Sequence, residues 1–185
     1  MDREIVIRAQ EGDHDAFGRL AAASIGRLNA IARLILHDHT AAEDAVQEAL
    51  VDAWRDLRSV RDPDRFDAWL TRILVRACQD ARRRVRRRGL MELQIDLPPV
   101  GTFDDAQTAV ANADRLERGL RRLTVDQRTV LVLAFYLDLP LAEAAAILGI
   151  PIGTMKSRLN RSLAAMRAAI DADERQPNRS AELPA

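Results

Sequence analysis

Thr154, Ser157, Arg158 and Arg161 recur at helical spacing, with Lys156 beside them. These residue types suit base and phosphate recognition. A guanidinium offers two parallel donors to a guanine edge, and hydroxyls reach bases or phosphate oxygens. Ile152, Met155, Leu159, Leu163 and Met166 keep the same period on the other side and are expected to pack inward. The preceding LAEAAAILGI reads as a shorter helix that ends in a tight turn at Gly149. Two helices joined by such a turn form the unit that places a helix in the major groove of DNA. An amphipathic helix with a merely solvated basic face shares the periodicity but does not require the Gly turn or the paired helices.

A second set of residues lies upstream. Arg82-Arg83-Arg84-Val85-Arg86-Arg87-Arg88 holds six arginines in seven positions. Like charges at this density repel unless neutralised, and a phosphate backbone neutralises them while releasing counterions. Arg65, Arg72, Arg76, Gln79 and Arg83 fall near one polar stripe, with Phe66 and Trp69 interleaved. Arginines that track a backbone beside aromatic platforms suit single-stranded or melted DNA, although core packing is the commoner use of such a Trp. A third set, Asp44, Gln47 and Glu48 with Asp52 and Arg55, lies opposite an apolar face of Val46, Leu50 and Trp54. It reads as a solvated face or as a docking surface for a protein partner.

These residues need helices to position them, and the composition provides for helices. Gly (8) and Pro (7) are sparse in 185 residues, and the hydrophobic fraction of 48% suffices for a core. Asp13 is placed to cap a first helix through Phe17, Leu20 and Ile25, followed by a related one with Leu28, Ile31, Leu34, Ile35 and Leu36. Thr40-Ala-Ala-Glu43 and Thr124-x-x-Gln127 have the form of capping boxes. A long helix is expected from about Arg65 to Arg88. Residues 90–113 contain Pro98-Pro99, Gly101, four acidic residues and no basic one. They read as an extended acidic linker. The fold expected is all-α, with two small helical domains at 1–89 and 114–172 and a disordered tail at 173–185. Net charge is zero, yet residues 115–170 carry nine basic against four acidic side chains, so the zero is a cancellation.

Several function classes are disfavoured. No apolar run approaches a membrane span, and the N-terminus lacks a signal core. The single Cys78 fits a reducing cytoplasm and falls on the inner side of the long helix without a base nearby. His14, His37, Asp38 and His39 form the best metal candidate, but i, i+2 spacing does not place two ligands on one helix face. No phosphate loop or Gly fingerprint appears. No metal, cofactor, small-molecule substrate or enzymatic activity is expected.

EDAVQEALVDAW, RFDAWLTRIL, the Arg-rich helix end, the linker and AILGIPIGTMKSRLNRSLAAMR together resemble the extracytoplasmic-function sigma factors of bacterial RNA polymerase. The resemblance spans about residues 8–170. It implies a region 2 at 1–89 that binds the polymerase clamp, recognises the −10 element and melts it. It implies a region 4 at 114–172 that binds the polymerase flap and reads the −35 element, with the linker threading toward the active-site cleft. Asp44, Gln47 and Glu48 then match the polymerase-contact helix. Arg65, Trp69, Arg72, Arg76, Gln79 and Arg83 fall in the segment that handles −10 DNA, and Thr154, Lys156, Ser157, Arg158 and Arg161 on the −35 reading helix. Core RNA polymerase, promoter DNA and an anti-sigma factor are the implied partners.

The sequence departs from the family where Ser is common at both helix starts of the region 4 pair and Pro140 and Pro151 stand instead. Glu143-Ala144-Ala145 replaces a bulkier Glu-Ile-Ala, Arg76 stands where an Asn is common, and Ala22, Ser24 and Asn29 replace aromatics. A two-component or quorum-type regulator shares the helix-turn-helix. It would carry strands in front of it, and residues 1–89 show no strand pattern.

Overall fold

Asp13, Asp38 and Thr124 each take an extended conformation and cap the helix that follows. The computed structural model describes the backbone of residues 3–87 and 108–174, and within these the side chains of 3–84 and 115–172. The order is α1 (Arg3–Gln10), α2 (His14–Leu36), α3 (His39–Asp56), α4 (Phe66–Arg87), α5 (Thr108–Arg121), α6 (Val125–Leu131), α7 (Leu141–Leu148) and α8 (Ile152–Glu174). Among the described residues there is no strand, and the all-α expectation holds. No helix described is long and apolar enough to cross a membrane.

Local chemistry explains the boundaries. Asp13 accepts a hydrogen bond from the Ala16 N–H at 2.9 Å, satisfying a first-turn donor of α2. The Thr124–Gln127 capping box forms in both directions at the start of α6. The box expected at Thr40 does not form the cap. Asp38, two residues earlier, accepts from the Ala41 N–H at 2.9 Å, so Thr40 lies inside the first turn of α3. His37 ends α2 in the left-handed region at φ 56, leaving a corner of only two residues between α2 and α3.

Other expectations shift. A short helix, α1, precedes Asp13 and buries Val6 and Ala9. The two helices expected across 14–36 are one, unbroken at Gly26. Ser24 is buried there while Ile25 is 46% exposed, so the inward stripe runs one residue off the most apolar choice. The backbone is already helical from Thr108, and α8 continues to Glu174. The rest of the acidic connector, residues 90–107, and the tail residues 175–185 lie outside the described residues.

Helices α2, α3 and α4 pack on one another with α1 against α2, while α5, α6 and α7 pack on α8. One apolar cluster joins the two groups: Ile31, Ile35 and Leu74 from the first share it with Val130, Leu133 and Met155 from the second. A smaller cluster of Leu120, Leu123, Leu131 and Met166 holds α5 on α8. Gly119 permits that approach, since a Cβ there would meet Met166 Cε at 2.7 Å. Full burial of each large apolar side chain contributes roughly 1.5–3 kcal/mol, and Phe66 at the head of α4 is among the most enclosed.

Candidate nucleic-acid interface

The helix-turn-helix is α7, a turn at Gly149, and α8. Pro140 opens α7 without a capping hydroxyl, and its carbonyl accepts from the Glu143 and Ala144 N–H groups at 2.9 and 3.0 Å. Gly149 closes α7 at φ 64, a conformation that L side chains rarely adopt, and the Ile150 N–H donates to the Ala145 carbonyl at 3.0 Å. The Pro151 carbonyl then accepts from Met155 N–H at 3.0 Å and starts α8. Fully buried Met155 anchors α8, with Leu159 and Leu163 half-buried and Met166 buried behind it. Ile152, expected inward, is 48% exposed because the first residue of α8 precedes the packed seam.

Lys156, Ser157 and Arg161 lie exposed on α8, with Thr154 and Arg158 half-buried beside them. The hydrogen bonds of this face run to the helix's own backbone. Ser157 Oγ donates to the Thr154 carbonyl at 2.9 Å, and Arg161 Nε to the Ser157 carbonyl at 3.3 Å.

The α4 stripe is differently placed. Arg65 sits ahead of α4 in a 3-10 turn, Pro63–Arg65, with its Nε 3.8 Å from Asp62. Trp69 is half-buried against the core, its ring 5.7 Å from that of buried Phe66. Arg72 and Arg76 are exposed and Gln79 half-buried. These three line one wall of a cleft whose other wall is Ile147, Leu148 and Gly149 of the helix-turn-helix. Arg83 is exposed, 3.2 Å from Asp80. Of the arginine run, Arg82 pairs with Asp126 of α6 at 2.5 Å and Arg84 with Glu48 of α3, so carboxylates of this chain supply part of its neutralisation. Arg86, Arg87 and Arg88 lie outside the described side chains.

Asp44 and Gln47 are exposed on α3, and Glu48, one turn on from Asp44, is half-buried and tied to Arg84. The Asp52–Arg55 pair of the same face is loose at 3.9 Å.

The residue that sequence reading missed is Arg128. It is 5% exposed, and its guanidinium donates to four carbonyls: Ile35 at 2.7 Å, Leu36 at 3.3 Å, Leu120 at 3.2 Å and Leu123 at 3.0 Å. Two of these lie at the end of α2, one in the last turn of α5 and one just beyond it, where a cation meets the negative ends of both helix dipoles. The signal was present in VDQRTVL, where an Arg falls among residues that are otherwise inward. Beside it, burial lowers the His37 pKa to about 4, and the charges of Arg128 and Arg121 act in the same direction against an opposing Glu117.

The other candidates have structural uses. His14 and Phe17 pack on Trp54 with ring centroids 4.8 and 4.9 Å away. His39 lies 2.7 Å from Arg33 and 3.3 Å from Glu43. Among the described residues no three His, Cys, Asp or Glu come together to hold a metal. Cys78 is fully buried, and desolvation pushes its pKa up to about 12, away from thiolate chemistry.

Comparison with known proteins covers both halves. Residues 20–88 match the family model "Sigma-70 region 2" and residues 113–166 the model "Sigma-70, region 4". The chain is 33% identical over 163 residues to the ECF RNA polymerase sigma factor SigM of Mycobacterium tuberculosis, covering 88% of this chain and 81% of that one. It is 34% identical to the RNA polymerase sigma factor CnrH of Cupriavidus metallidurans, covering 93% and 95%. The solved structure of CnrH in complex with the cytosolic domain of CnrY superposes at a TM-score of 0.64 with 30% identity, over 93% of this chain and 98% of that one. The sigma factor RpoE of Bartonella quintana, solved with the anti-sigma factor NepR, gives 0.66 with 27% identity, over 85% and 98%.

Proposed function

The chain belongs to the ECF sigma factors of bacterial RNA polymerase, which serve promoter recognition, and from that premise we propose how its parts divide the work. Residues 114–172 form the −35 reading unit, with Thr154, Lys156, Ser157, Arg158 and Arg161 entering the major groove. The observation that carries this is the exposed polar face of α8, held outward by buried Met155 behind the Gly149 turn. Arg158 and Arg161 supply guanidinium donors to base edges or phosphates, and Thr154 and Ser157 supply hydroxyls.

Residues 1–89 take the −10 element. Arg65, Arg72, Arg76 and Arg83 track the backbone of an opened strand, while Trp69 and Gln79 meet its bases. Melting then needs no catalytic group, because captured bases offset an unstacking cost of a few kcal/mol. This makes the protein an initiation factor rather than an enzyme. Asp44, Gln47 and Glu48 are the clamp contact, α6–α8 take the flap, and the acidic segment 90–113 lies in the basic channel of the polymerase. The compartment is the cytoplasm, where the polymerase is. An anti-sigma factor is a fitting partner, since CnrH and RpoE were each solved with a protein partner.

The test is run-off transcription. Core polymerase plus this chain should initiate from a promoter selected out of a library, and core alone should not. Absence of binding to core would overturn the assignment of the α3 face.

A further inference from the structure

Lys156 is the sole lysine among the 28 Lys and Arg residues of the chain. The two cation types differ in chemistry as well as in shape. A guanidinium keeps its proton in proteins and offers no electron pair. An alkylammonium can release a proton to solvent and become a nucleophilic amine. A reagent that seeks a side-chain amine therefore finds one position in the whole sequence, and that position is on α8.

The fold leaves this amine accessible. Lys156 follows fully buried Met155 and is itself exposed. Among the described residues its ammonium takes part in no ion pair or hydrogen bond. The surroundings suit an anionic reagent. Residues 152–170 of α8 hold Lys156, Arg158, Arg161 and Arg167 and no carboxylate, and such a one-signed stretch raises the local concentration of anions. The thiol that would compete for the same reagent, Cys78, is fully buried on α4.

We propose that Lys156 is an acylation site, modified by small acyl phosphates, and that the modification tunes the grip of α8 on DNA. The tuning rests on the reading of α8 as the duplex-facing helix. In the step itself the ammonium first gives a proton to water. The nitrogen lone pair attacks the carbonyl carbon of the acyl phosphate, and a C–N bond forms. The bond from that carbon to the bridging oxygen breaks, and phosphate leaves with the electron pair. A second proton from nitrogen passes to the departing phosphate, and nothing is oxidised or reduced. The product is a neutral amide. Helix α8 keeps the guanidinium donors of Arg158 and Arg161 but loses one positive charge from its outer face. The outcome is attenuation rather than a block. Arg72, Arg76 and the paired arginines of α4 are inert to the same reagent, so the effect is confined to one of the two surfaces.

The test treats the full chain with acetyl phosphate. Mass spectrometry with peptide mapping should show one stable side-chain adduct, on Lys156, and none in Lys156→Arg. The treated chain should bind a fluorescent mixed-sequence duplex several-fold more weakly at low salt. Its slope of log affinity against log salt should shrink by about 0.9, as for the loss of one phosphate contact. Lys156→Arg, whatever its starting affinity, should bind equally before and after treatment. An unmodified Lys156 under conditions that acylate the terminal amine would overturn the site. A modified Lys156 with unchanged affinity, while Arg161→Ala still weakens duplex binding, would overturn the tuning and leave the reading of α8 standing. Unchanged affinity in the treated chain and in Arg161→Ala alike would sink that reading instead, and the mass spectrum would still decide the site.

Discussion

Helices α4 and α8 carry the two surfaces proposed to meet DNA, and they are built on opposite plans. Arginines of α4 pair with carboxylates on two other helices, Asp126 of α6 and Glu48 of α3, and with Asp80 on α4 itself. Its aromatic residue leans on the core, and part of its stripe faces α7. On α8 the side chains of Ser157 and Arg161 bond to carbonyls of their own helix. The difference corresponds to two kinds of work. A surface that reads an intact duplex can be finished in advance, because B-DNA presents its groove without rearrangement. A surface that captures unstacked bases has a ligand that does not exist until melting, and its residues find interim partners in the protein.

The contrast can be broken most severely at Phe66. Phe66→Ala should cost about 3–5 kcal/mol, as for other buried aromatics. Because one apolar cluster spans both halves, urea unfolding should show a single transition displaced as a whole. Two separated transitions would mean that α4 and α8 belong to independent units. Next in size, Arg158→Ala or Arg161→Ala should weaken −35 duplex binding by roughly 1–3 kcal/mol each. Trp69→Ala should leave that affinity alone and reduce open-complex formation on a full promoter. Equal losses in both assays would erase the distinction between the helices.

Smaller effects sharpen the same comparison. Thr124→Ala removes a complete capping box and should lower stability by about 1 kcal/mol in thermal melts. Pro140→Ser at the uncapped start of α7 should instead stabilise by a few tenths to about 1 kcal/mol. The smallest effect concerns His37. Its folded pKa lies below its unfolded value of 6.5, so the unfolded chain takes up the proton first. Stability is then full above pH 6.5 and falls as pH drops from 6.5 toward 4. His37→Asn tolerates the left-handed corner and should flatten that slope in a pH series of melting temperatures.

Much of this was legible in sequence because it is local. The Gly149 turn, the Asp13 cap and the Thr124–Gln127 box rest on neighbours a few residues away, and each forms. Thr40 misled because Asp38 competed for the same helix start, and a carboxylate two residues earlier won. Ile25 and Ser24 exchanged their expected places since a continuous 23-residue helix holds one phase where two shorter helices would each set their own. Helix α1 was missed because eight residues with two buried side chains give periodicity too little to register. The Arg128 seat and the α4–α7 cleft were illegible for a different reason. Periodicity tells which face of a helix turns inward, but not which distant carbonyls a buried cation will find 92 and 93 residues away.

A buried guanidinium that bonds two helix ends also concentrates risk in one side chain. Loss of Arg128 would leave carbonyls at the ends of both α2 and α5 without their donor at once, a dependence that an exposed arginine does not carry.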